Sequence, residues 1–275
     1  MKSRELPLKG KHVLITRGGE QGEKFCMDVA SSGGVPHMVP LIDFRAHHDQ
    51  NAPYFINNIH HYEWIIFTSK NGVHYFFQHI KGLVDEQLHN GNVQFAVVGE
   101  KTREALYRYR LPSRFMPNVY TAEDFAREFF NEGLTGKKVL IPKGNLASTI
   151  IAESFRVRGL TADEWIVYET YYPSKETDKL VHMLEEDLLD IAAFTSPSTF
   201  NHFMKIVNQH HLTRHAKRLL YAAIGTVTKK AIEQSGYITH ICPKKFTIDD
   251  MFNEICLYVK KQVDEGKINH GKSSI

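Results

Sequence analysis

At 275 residues, with 42% apolar and 24% charged side chains, the chain is long enough for two ordinary globular domains and too apolar for a disordered one. A net charge of +3 is too mild for a nucleic-acid binder, which concentrates a basic patch or stripe, and no apolar run reaches the ~20 residues that span a bilayer. The opening stretch, MKSRELPLKGKHVLITR, lacks the apolar core and small-residue cleavage site of a secretory signal, so the cytoplasm is the expected compartment.

Taken in chain order, the elements share one grammar. Val13, Leu14 and Ile15 form a short apolar run, followed by a Gly-rich turn and then Phe25, Val29 and Ala30 at helical spacing. VPHMVPLIDF (35–44) comes next as an extended, Pro-marked segment. Ile65, Ile66 and Phe67 end in Thr-Ser and lead to Val73, Phe76, Phe77 and Ile80; FAVVGEKTREALYRYR (95–110) has the same form. A helix is predicted over 122–132, where Thr121 and Asp124 approximate a capping box. Val139, Leu140 and Ile141 lead to Ile150, Ile151 and Phe155, and DEWIVYETYYP (163–173) is a second extended segment. AAFTSPSTFNHFM (192–204) and YAAIGTVTKKAIEQSG (221–236) repeat the strand–turn–helix form. A last helix is predicted over 247–263, ahead of a polar tail without periodicity. Short apolar runs alternating with amphipathic helices imply parallel strands buried on both faces, so the class is α/β, open and doubly wound.

The chain also repeats itself. KHVLITRGG (from 11) resembles KKVLIPKGN (from 137), IIFTSKNGV (from 65) resembles AAFTSPSTF (from 192), and FAVVGEKT (from 95) resembles YAAIGTVT (from 221). Three blocks recurring in one order at offsets of 126 or 127 mark a duplicated unit of domain size, too long for a solenoid repeat. The two extended segments hold equivalent positions in the repeat, which makes them candidate linkers between two lobes.

In an open parallel sheet the C-terminal strand ends share an edge where ligands bind. The turns there hold Thr16 and Arg17; Ser69, Lys70, Asn71 and Gly72; Gly99, Lys101 and Thr102; Lys143 and Gly144; Thr195, Ser196 and Ser198; and Gly225, Thr226 and Thr228. Each opens a helix, so unpaired backbone N–H groups and the positive end of the helix dipole suit carboxylates or phosphates. Any one of these turns is equally an ordinary N-cap. Six together, four of them carrying Lys or Arg, favour a site that grips an anion at several points.

Several chemistries find no motif. There is no P-loop, no GxGxxG at a strand–helix junction, no GxSxG elbow and no HExxH. Cys26, Cys242 and Cys256 have no metal or disulfide spacing and are expected as free, mostly buried thiols. The adjacent pairs His47–His48, His60–His61 and His210–His211 point apart, so no metal is expected. Tyr168, in IVYET, is the candidate acid or hydrogen-bond donor; the alternative is a strand aromatic that packs one face and wets its hydroxyl.

With VLITR, IIFTSKNGV, FAVVGEKTREAL, KVLIPKGNLA, VYET, FTSPS and AAIGTVTKKAI in that order, the chain resembles the uroporphyrinogen-III synthase family over residues 10–262. The resemblance implies two similar lobes, each an open parallel sheet flanked by helices, with the chain starting in lobe one, building lobe two and returning. Lobe one would be 1–38 plus 174–265 and lobe two 44–165, joined by linker strands 39–43 and 166–173, with a polar tail at 266–275. The implied reaction is cofactor-independent cyclisation of hydroxymethylbilane, a linear tetrapyrrole with eight carboxylates, to uroporphyrinogen III with ring D inverted and water lost.

By position, Tyr168 would assist departure of the hydroxyl, and the residues of the six turns would cradle carboxylates, partly through backbone N–H groups. One departure is PKGNLAST, where many relatives carry Pro-Arg-Gly; Lys143 keeps the charge without the guanidinium fork. A monomer is expected, with a transient hand-over from hydroxymethylbilane synthase, and the charge and hydropathy give no reason to expect a nucleic-acid or membrane partner. The competing reading is a non-catalytic two-lobed binding or sensor protein for an anionic small molecule.

Overall fold

A computed structural model of the chain describes residues 6–81, 83, 88–89, 93–134 and 136–266. The polar tail expected from 266 onward lies outside them except for Gly266. The chain divides into two compact units, Met1–Asp43 with Tyr172–Ile275, and Phe44–Tyr171. Unit one begins with β1 (His12–Ile15), α1 (Gly19–Ser31) and β2 (Val35–Met38). The chain then builds unit two from β3 (Asp43–Ala46), α2 (Ala52–Asn57), β4 (Trp64–Phe67), α3 (Lys70–Ile80), β5 (Gln94–Val97), α4 (Glu100–Tyr107), α5 (Ala122–Asn131), β6 (Lys138–Gly144), α6 (Ile150–Arg156) and β7 (Thr161–Tyr171). It returns to unit one with α7 (Ser174–Glu185), β8 (Ile191–Phe194), α8 (Pro197–Gln209), α9 (Thr213–Ala216), β9 (Leu220–Ala223), α10 (Thr226–Gln234), β10 (Thr239–Ile241) and α11 (Ile248–Asp264).

Each unit has one five-stranded sheet. The order in unit one is β10-β9-β8-β1-β2, with every pair parallel. The order in unit two is β3-β7-β6-β4-β5, parallel from β7 to β5, and Phe115 adds an isolated parallel bridge to Ala96 beyond that. Matched through the repeat, β1 corresponds to β6, β8 to β4 and β9 to β5, so both sheets reverse their winding at an equivalent place. Those places, between β1 and β8 and between β6 and β4, are topological switch points, where adjacent strands send their helices to opposite faces and leave a crevice.

Alternation along the buried strands explains why each has a continuous apolar run at its centre. In unit one, Val13, Ile15, Ile191 and Ala193 join the core under α1 and α11, while Leu14, Ala192, Phe194 and Tyr221 join the core under α7 and α8. In unit two, Ile65, Phe67, Val97 and Leu140 face α3, and Trp64, Ile66, Ala96, Val139 and Ile141 face α5 and α6. A strand covered by helices on both faces has no polar side.

The two extended segments do more than connect. Val35–Met38 pairs with β1 in full register, and residues 166–168 carry β7 on beside β6, with Gly144 opposite Tyr168. Extended backbone leaving a sheet must find other partners for its N–H and C=O groups, and continuing the ladder supplies them. Tyr168 therefore belongs to the sheet of unit two. Thr121 caps its helix, its Oγ1 accepting the Asp124 N–H at 3.0 Å, and Thr247 does the same with Asp250 at 3.1 Å; the reciprocal half of a capping box is not made at Thr121, whose N–H donates to the Val119 carbonyl at 2.9 Å. The three cysteines are unpaired and half-buried, and burial pushes their thiols up, Cys256 to about 11. No helix among the described residues is long and apolar enough to cross a membrane.

Phe194 is fully buried against Phe200 and Phe203, with ring centres 5.2 Å away in each case. Phe194→Ala is expected to cost about 3–5 kcal/mol in unfolding free energy, measured by urea titration.

Candidate active site

Tyr168 is 8% exposed and meets three constraints in unit two. Its ring lies on the backbone of Gly144: a Cβ placed there would sit 2.5 Å from Cζ and 2.8 Å from the hydroxyl oxygen. On its other sides it stacks on Tyr75 (5.4 Å between centres, 22°) and meets Phe44 edge-on (5.8 Å, 71°). Its hydroxyl lies 3.3 Å from Ser69 Oγ, which itself accepts the N–H of Gly72 at 3.0 Å to cap α3. The phenol oxygen is thus set at the positive end of α3 beside the switch point of β6 and β4. Asn145 fixes the backbone on either side: its N–H donates to the Tyr168 carbonyl at 3.1 Å and its Oδ1 accepts the Thr170 N–H at 2.9 Å.

The other turns separate into those that offer side chains and those that do not. Lys70 and Lys101 are exposed, and Arg17 and Asn71 are half-buried. Thr16 is 2% exposed and donates inward to the Ala193 carbonyl at 2.9 Å, bonding β1 to β8. Thr102 and Thr228 are also buried, at 5% and 3%. Lys143 departs furthest from its expected role. It is 5% exposed, and its ammonium lies 2.6 Å from Glu164 Oε1 and 3.0 Å from the Ser148 carbonyl, with Arg156 on the second Glu164 oxygen at 3.1 Å. That ammonium is committed to the fold and presents no charge to a ligand.

In unit one, Ser196 caps α8 by accepting the Thr199 N–H at 3.2 Å, while Ser198 is exposed and Thr195 half-buried. Gly99 and Gly225 cap α4 and α10 without any side-chain acceptor, so those helix starts keep open donors. An aromatic ring closes on each glycine: a Cβ would lie 3.2 Å from Tyr120 at Gly99 and 2.9 Å from Phe246 at Gly225. Thr226, next to Gly225, is exposed. Tyr120 and Phe246 escaped the sequence reading, although YTAED (120–124) and FTIDD (246–250) stand 126 apart and form a fourth repeated block. Tyr75 and Phe44, which hold Tyr168, carried no motif of their own, whereas Asn145 belongs to the strand-end turn of Lys143 and Gly144.

The family model described as uroporphyrinogen-III synthase HemD matches residues 26–253. The chain belongs to the uroporphyrinogen-III synthase family. These are enzymes of the lyase type, in porphyrin biosynthesis. The uroporphyrinogen-III synthase of Chlorobaculum parvum is 29% identical over 238 residues, covering 86% of this chain and 94% of that protein. The one from Synechococcus elongatus is 25% identical over 227 residues, covering 81% and 84%. A mutant uroporphyrinogen III synthase from Thermus thermophilus shares the fold, with a TM-score of 0.64 at 15% identity over 92% of this chain and all of that one.

Two substitutions test this geometry. Gly144→Ala drives a methyl into the Tyr168 ring and is expected to cost about 1–3 kcal/mol by thermal melting. Lys143→Met leaves the half-buried Glu164 with Arg156 alone and is expected to cost about 3 kcal/mol in the same assay, because the contact it breaks is shielded from water.

Proposed function

We propose that this chain closes hydroxymethylbilane to uroporphyrinogen III with inversion of ring D. The observation that carries this reading is the Tyr168 phenol, held on Gly144 at the N-terminus of α3, in a chain of the uroporphyrinogen-III synthase family. The hydroxyl of the hydroxymethyl group on ring A leaves as water when its oxygen takes a proton, and the methylene carbon stays behind as the exocyclic carbon of an electrophilic azafulvene. Tyr168 serves that departure by hydrogen-bonding the leaving oxygen, and the dipole of α3 favours the electron density that gathers there. The substituted α-carbon of ring D attacks the exocyclic carbon to give a spiro intermediate. The older bond to ring D then breaks, the released fragment recloses at the other, unsubstituted α-carbon of ring D, and the proton on that carbon is lost as the pyrrole regains aromaticity. One hydroxide and one proton have left, so the balance is water.

The eight carboxylates call for many donors of moderate strength. The turns of unit two offer Ser69, Lys70, Asn71, Gly72, Gly99 and Lys101 as such donors; taken by itself, unit one offers Arg17, Thr195, Ser196, Ser198, Gly225 and Thr226. Thr16, Thr102, Gly144 and Thr228 shape the backbone of the same turns. Orientation of a substrate that is itself reactive then carries most of the selectivity, because spontaneous closure gives the other isomer.

Supplying the purified protein with freshly generated hydroxymethylbilane and separating the products tests the reading. The III isomer is expected to dominate; a III-to-I ratio equal to that in buffer alone contradicts it.

A further inference from the structure

His202 lies in the second turn of α8, 8% exposed, and neither ring nitrogen has a hydrogen-bond partner. Buried polar groups in folded proteins are nearly always paired, and an imidazole missing both partners needs an explanation. Packing does not give one. The ring is stacked under Tyr172, with centres 3.8 Å apart and planes at 17°, and a phenyl ring at position 202 would make that stack without burying two polar atoms. Desolvation, and then the charge of Lys205, hold His202 below its ordinary range, so in the free protein the ring is neutral, with one N–H and one lone pair.

The surroundings of this ring point to a ligand. Ser198, His202 and Lys205 stand at i, i+4 and i+7 and share one face of α8. Helical side chains lean toward the N-terminus, which places the His202 ring over the turn that carries Ser198 and Thr199. That helix start is rich in hydroxyls: Ser196 Oγ lies 3.0 Å from Ser198 Oγ and 2.6 Å from Thr199 Oγ1. Pro197 has no N–H, and Ser196 takes that of Thr199, which leaves the Ser198 N–H facing outward at the positive end of the helix. Lys205 adds an exposed ammonium 6.0 Å from the Tyr172 ring centre. Tyr172 is 48% exposed, so the cover over His202 is a single ring with solvent on its far side.

We propose that His202 is a substrate-binding residue under a movable cover: Tyr172 turns away, and the imidazole donates to a side-chain carboxylate of the linear tetrapyrrole while its free nitrogen accepts a pyrrole N–H. The chemistry of the two nitrogens selects this ligand class, since a neutral imidazole needs one acceptor and one donor and a carboxylated pyrrole brings both. Ser198 and Lys205 flank the carboxylate on the same helix face. This subsite rests on the reaction proposed above and extends it to a residue outside the strand-end turns.

The test is His202→Phe, which keeps the stack and removes both nitrogens. Its melting temperature is expected to hold or rise, and KM for hydroxymethylbilane to rise about 10-fold, the scale of a lost hydrogen bond to a charged group, with kcat moving far less. In the unaltered protein, uroporphyrinogen III is expected to shift the ¹⁵N resonances of the His202 ring, a readout that needs no variant to fold. A wild type that makes the III isomer, with His202→Phe unchanged in KM and the ¹⁵N resonances unmoved, overturns the subsite and leaves the reaction standing. A wild type that yields only the buffer ratio of isomers overturns the reaction and the subsite with it.

Discussion

Everything around the phenol depends on Gly144 lying opposite Tyr168 across β6 and β7. The register slips between Lys143 and Gly144, and the glycine gives the ring a bare Cα to rest on. With a side chain at 144 the ring would have to leave, and with it the hydroxyl that meets Ser69 at the start of α3. The parallel order of the sheet then does the rest. It brings β4 beside β6, so a serine 99 residues earlier in the chain reaches the same point in space as Tyr168. Asn145 closes the arrangement by pinning the carbonyl of Tyr168 and the N–H of Thr170.

The helix starts fall into two physical kinds, and both units carry both. Serine at 69 and 196 satisfies one orphan N–H and keeps a hydroxyl at the turn. Glycine at 99 and 225 satisfies none and brings the backbone close beneath an aromatic ring. An anion meeting the first kind finds a hydroxyl, and one meeting the second finds backbone N–H groups. The proposed substrate, with its many carboxylates, asks for such variety more than for concentrated charge, and the modest net charge of +3 agrees with that. Lys143 shows the converse, since a cation already neutralised by Glu164 belongs to the core.

The strand–turn–helix blocks could be read from sequence because strands buried on both faces are short continuous apolar runs, and the duplication showed which turns correspond. Val13 to Ile15, Ile65 to Phe67 and Val139 to Ile141 all lie in strands of the two sheets. Pairing was less legible. Nothing local in IVYETYY tells a connecting segment from the end of an eleven-residue strand, because the difference lies in the neighbours that β6 and β3 provide. Glu164 as the partner of Lys143, and Tyr172 as the cover of His202, are likewise products of tertiary register, without a motif or helical spacing to reveal them. The faces of elements follow from periodicity, whereas contacts between distant elements follow only once topology is known.

The central claim is that the Tyr168 hydroxyl, and not the ring alone, assists departure of the leaving group. The direct measurement is single-turnover kinetics of Tyr168→Phe, which retains the ring on Gly144 and loses one hydroxyl 3.3 Å from Ser69. The account predicts a rate lower by on the order of 10²-fold with the melting temperature nearly unchanged. A rate equal to that of the wild type would contradict it and reduce Tyr168 to a packing residue.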